Sequence, residues 1–166
     1  VVPLQVASAD TALAPLGYGL ADLLLADLAR SRRITVVERV RSDALLRELS
    51  LDAAGGVDSV SAARVGRLLG ARRLVVGAIA PDVAAAPAAP APPARTLRID
   101  ARIADVETGA VERGLAATAP IDRILDAQKA LAFRVFDLLR VALSPAERAA
   151  IARRPTRDLG ALLAFS

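Results

Sequence analysis

Residues 56–79 constrain this chain most, because they place a helix, a glycine stop and a strand in direct succession. Asp58 offers an N-cap, Val65, Leu68 and Leu69 recur at helical spacing, and Gly70 stands where a helix ends in a left-handed turn. Leu74-Val-Val-Gly-Ala-Ile79 follows at once as an unbroken apolar run. A strand without polar alternation is covered on both faces, so this one is expected near the middle of a sheet with helices on either side. Gly66 and Gly77 read as points of close backbone packing, and Ser59 and Ser61 as cap-region residues.

Around this unit the order of elements is β-α-β-α. Val1 to Ala7 predict a first strand with Pro3 near its start. Gly17 to Ser31 predict an amphipathic helix carrying Leu20, Leu23, Leu24 and Leu28, with Gly17-Tyr18-Gly19 turning the chain into it. The glycines lack the spacing and the basic anchor of a phosphate loop. Asp22, Asp27 and Arg30 are expected on the wet face of this helix. Arg33 to Arg39 is rich in branched residues and predicts a second strand, after which Ser42 is a candidate cap for a short helix with Leu45, Leu46 and Leu49. Residues 50–57 read as a loop.

Beyond Ile79 the chain changes character. Residues 80–95 are rich in proline and alanine, which favours extended polyproline geometry over a sheet ladder. Strand signals resume at Thr96, where Leu97, Ile99, Ala101 and Ile103 alternate with Arg98, Asp100 and Arg102. The turn Asp105-Val-Glu-Thr-Gly109 reverses the chain into a weaker strand over 110–118, making a hairpin. The longest helix is expected from Ile121 to Leu143, and Ser144-Pro145-Ala146-Glu147 is a capping box that starts a short helix. Thr156 is placed to cap a further helix with Leu159, Leu162, Leu163 and Phe165, whose apolar stripe reads as the beginning of helical repeats.

The chemistry available is narrow. The 166 residues contain no histidine and no cysteine, so acid–base work would fall on carboxylates or on Lys129, the only lysine. Asp105, Glu107 and Glu112 cluster at the hairpin, where Asp and Gly ordinarily serve the turn itself. We expect no catalytic site, no cofactor and no metal. The net charge of +4 invites a nucleic-acid- or nucleotide-binding reading as the alternative, because phosphate neutralisation draws on arginine. The arginines are, however, interleaved with acids as on a solvated surface. Arg64, Arg67, Arg72 and Arg73 are the exception, and form the candidate partner or anion surface.

Several of these segments together resemble a known family. Gly19 to Leu28, Ile34 to Arg39, Leu45 to Leu49, Ala63 to Ala71, Leu74 to Gly77 and Asp105 to Gly109 are similar to the curli-assembly transport lipoprotein (CsgG-like) family and to the amino-terminal domain of TolB-type envelope proteins. The resemblance covers roughly residues 1–143. It implies an α/β sandwich with a mixed β-sheet of about five strands and helices packed on it, followed by a helical extension over 144–166. It further implies a non-catalytic scaffold of the periplasm, often anchored to the outer membrane as a lipoprotein, that assembles with other envelope proteins or with itself. An export signal ahead of Val1, with any lipid anchor, is the corresponding expectation. The arginine-for-lysine and alanine bias suits a GC-rich Gram-negative source. A pore is not expected, since a membrane-facing strand needs about ten alternating residues and residues 80–95 are interrupted by proline.

Overall fold

The computed structural model describes residues 1–8, 13–37, 39–49, 59–82, 96–111 and 114–153. They form a four-stranded mixed sheet with helices on both faces. In chain order the elements are β1 (Gln5–Val6), α1 (Ala14–Leu28), α2 (Arg39–Glu48), α3 (Ser59–Leu69), β2 (Arg73–Pro81), β3 (Thr96–Asp105), β4 (Leu115–Pro120), a 3-10 turn (Ile121–Arg123), α4 (Ile124–Leu138) and α5 (Pro145–Ala152). The strand order is β1-β2-β3-β4, with β1 parallel to β2 and the other two pairs antiparallel.

Side-chain alternation splits the interior into two cores. Val75 and Ile79 of β2, with Leu97, Ile99, Ala101 and Ile103 of β3, face α1, α4 and α5. Leu74 and Val76, with Ala104 and Val106, face α2 and α3. The apolar run in β2 therefore does separate two buried layers, and β3 alternates as expected: Leu97, Ile99, Ala101 and Ile103 are buried while Arg98 and Arg102 are exposed.

Five expectations need correction. The sheet has four strands rather than about five, because Ile34 to Val37 make no ladder and the chain is already helical at Arg39. Ile34 and Val36 pack against the first core and Val37 against the second, so this extended stretch carries the chain from the α1 face to the α2 face. Branched residues are needed at that crossing for burial on both sides, which is why the segment looks like a strand. Ser42 accordingly lies inside α2 rather than before it.

The Gly17-Tyr18-Gly19 stretch likewise lies inside α1, which begins at Ala14 with Pro15 in its first turn. Gly17 is there because its neighbour is backbone: a Cβ at this position would strike the Leu4 carbonyl oxygen. In return the Leu4 amide donates to the Gly17 carbonyl at 3.0 Å, which draws Leu4 away from the ladder and helps limit β1 to two residues. The hairpin's return strand runs over Leu115–Pro120 rather than 110–118, with only an isolated Ala104–Val111 bridge before it. Finally, α4 stops at Leu138, short of the expected Leu143. The expected cap at Asp58, the proline-rich stretch from 83 to 95 and the helix after Thr156 lie outside the described residues.

Candidate functional site

Of the four arginines picked from sequence, Arg67, Arg72 and Arg73 meet the chain at the end of β3, while Arg64 lies midway along α3. Helix α3 ends in a left-handed closure: Gly70 has φ 67°, its amide donates to the Arg67 carbonyl, and the Ala71 amide donates to the Gly66 carbonyl at 2.9 Å. Only two residues later β2 begins, so Arg72 and Arg73 lie close to the last turn of α3. The Val106 amide donates to the Arg72 carbonyl at 3.0 Å, and Arg67 Nη1 donates to the Val106 carbonyl at 3.4 Å. Gly66 permits the approach, since a Cβ there would collide with a γ-methyl of Val106.

The quartet is not uniform in charge. Arg73 forms an ion pair with Asp105, its register partner across the β2–β3 ladder, and is locally neutralised. Arg64 and Arg72 are exposed and make no ion pair among the described residues. Leu68 follows Arg64 by one helical turn and is 50% exposed, which makes it one of three large apolar side chains left in solvent among the described residues. The surface therefore offers an apolar contact beside exposed guanidinium groups.

Of the acidic cluster at the hairpin, Asp105 and Glu107 belong to a turn, and Glu112 lies outside the described residues. Asp105 Oδ1 accepts from the Thr108 amide at 2.8 Å and the Glu107 amide at 3.0 Å, and Gly109 takes φ 70°. These bonds, led by the Thr108 amide, hold the Asp105 carboxyl below the usual carboxylate range, with Arg73 adding to the effect. Its oxygens thus serve the turn and the ion pair. Among the described residues no group of three or more acidic side chains is arranged to hold a metal ion, and no helix is long and apolar enough to cross a membrane.

Asp27 is placed differently from expectation. It is only 2% exposed, wedged between α1 and α4, where Lys129 Nζ donates to both carboxylate oxygens at 2.7 Å and Gln128 Nε2 donates at 2.9 Å. The sequence carried the signal: Leu20, Leu24, Asp27 and Ser31 continue one helical stripe, and the chain's single lysine lies on the apolar helix opposite. Lysine's compact ammonium fits between the two oxygens without needing the planar space of a guanidinium. Gln128 Oε1 is buried without a partner among the described residues. This centre is enclosed by helices, so its chemistry is structural.

The chain is thus an α/β sandwich with arginines about the end of α3 and a buried ion pair between its two long helices. Residues 3–81, from β1 through β2, match the family described as curli production assembly/transport component CsgG, so the resemblance read from the sequence holds over that span. No curated protein matches the chain. Among solved structures, the LpoB C-terminal domain from Salmonella enterica is similar with a TM-score of 0.48 at 14% identity, covering 71% of this chain and 76% of that one.

Proposed function

We propose that this chain is a non-catalytic domain of the bacterial cell envelope, working in the periplasm in association with the outer membrane, where it assembles with other envelope proteins or with further copies of itself. The observation that carries the reading is the match of residues 3–81 to a family named for curli assembly and transport. The contact surface in this reading is the end of α3, with Arg64 and Arg72 meeting acidic groups on the partner, Leu68 supplying apolar contact, and Arg67 and Arg73 shaping the edge. Charged groups at such a rim govern choice of partner and rate of encounter more than raw affinity.

The test uses the full-length protein in its native cells. It should fractionate with the envelope, and a photo-crosslinking residue at position 68 should yield a discrete adduct with an envelope protein or with a second copy. The pair Arg64→Glu and Arg72→Glu should abolish that adduct while leaving the circular dichroism spectrum unchanged. A cytosolic protein, or an adduct indifferent to the charge reversal, would overturn the reading.

A further inference from the structure

Helix α4 ends in a left-handed closure like that of α3, but with the wrong residue. The Arg140 amide donates to the Asp137 carbonyl at 3.0 Å and the Val141 amide to the Phe136 carbonyl at 3.0 Å, the pairing that normally has glycine at its turning point. Arg140 occupies that point with φ 54°, and no other non-glycine residue among those described has positive φ. A side chain there crowds the following carbonyl, so this bend is strained.

What the strained bend carries is a helix that caps itself. The Ser144 side chain accepts from the Glu147 amide at 3.2 Å, and Glu147 Oε2 accepts from the Ser144 amide and hydroxyl at 2.8 Å each. With Pro145 in its first turn, α5 therefore satisfies its own N-terminus without help from the rest of the domain. Val141 and Leu143 of the connecting stretch pack half-buried against the first core, and a few groups of α5 itself complete the attachment, with the Ser31 side chain also hydrogen-bonding Glu147. Glu147 Oε1 accepts from the Arg32 amide at 3.3 Å, the Arg148 guanidinium lies 5.3 Å from the centre of the Phe133 ring, and Ile151 enters the first core with 0% exposure. Ser144, Pro145, Ala146, Arg148, Ala149 and Ala152 are exposed.

Glu147 and Arg148 lie four and three residues before Ile151, so both flank it on the side of the helix that meets the α1–α4 surface. Lifting any one of them lifts the others. We propose that α5, with the connecting Val141 and Leu143, is a hinged arm, docked as a unit through these two residues and Glu147, Arg148 and Ile151 and released as a unit about Arg140, so that opening uncovers Phe133 and changes the direction in which the chain leaves Arg153. Strain at Arg140 biases the arm toward release, while burial of Ile151 holds it down. Such an element has two discrete positions, as a switch requires. The inference does not depend on the proposed envelope role.

Native-state hydrogen exchange on the full chain tests it. The amides of Arg148 to Ala152 should open together, with little dependence on denaturant, and far more often than those of Leu131 to Phe136 in α4. Arg140→Gly keeps the bend and removes the crowding, so it should make opening of α5 about fivefold rarer. Exchange of α5 in step with α4 would show that no separate arm exists. An unchanged α5 opening rate in Arg140→Gly would show that the strain does not drive it. Either result overturns the proposal.

Discussion

The two faces of the sheet are built to different standards. On the first, α1 and α4 cross the strands with long apolar stripes, Phe136 and Leu16 are fully buried, and Lys129 is locked onto Asp27 across the helix pair. On the second, α3 rests on Leu74, Val76, Ala104 and Val106 near one end of the strands. Farther along that same face Arg98 and Arg102 of β3 are exposed. The first face holds most of the buried core, and the second carries the arginines and the exposed leucine that the proposed function uses for contact.

The comparison breaks most visibly at Lys129. Lys129→Met leaves the buried Asp27 carboxylate with only the more distant Arg30 Nε, at 3.7 Å, as a cation, which should cost about 3 kcal/mol in urea unfolding. Adding Asp27→Leu removes the stranded charge and should restore most of the loss, since paired buried charges contribute little more than apolar groups of similar size. If the single substitution is nearly neutral, the first face does not depend on this pair.

The second face should answer more weakly. Gly66→Ala drives a methyl into Val106 and should cost about 1–3 kcal/mol as α3 is pushed from β3, with Val106→Ala in the same chain recovering part of it. A double-mutant cycle reads the coupling directly. Smaller again is the cap of α5, where Ser144→Ala should cost about 1 kcal/mol by thermal unfolding.

Smallest is a pH effect. The carboxyls of Asp105 and Glu147 titrate below their ordinary ranges in the folded chain, held down first by the Thr108 and Ser144 amides respectively. A depressed carboxyl binds its proton more weakly folded than unfolded, so its contribution is fully present above the usual carboxylate range. It is lost as pH falls through the folded value. Thermal unfolding followed from neutral to acid pH should show this loss, and Asp105→Asn together with Glu147→Gln should flatten it.

What sequence could and could not reveal follows from the range of the forces involved. The α3–Gly70–β2 succession, the Asp105–Gly109 turn and the Ser144 capping box were all legible, because each is fixed by neighbours within a few residues. Ile34 to Val37 misled because burial on two faces demands branched residues whether or not a ladder forms. Asp27 misled because its partner lies 102 residues away, and a lone acid on a helix looks solvated until that partner is placed. Of the arginine quartet, the nearness of Arg67, Arg72 and Arg73 to the end of α3 could be anticipated from spacing, whereas Arg64 lies midway along the helix. The neutralisation of Arg73 could not, since it depends on the β2–β3 register.

The proposed division of labour gives contact to the second face and stability to the first. It is tested most directly by photo-crosslinking in native cells from two exposed positions measured side by side: Leu68 on α3 and Ala130 on α4. A discrete adduct is expected from position 68 and none from position 130. An adduct from position 130 with none from position 68 would contradict it.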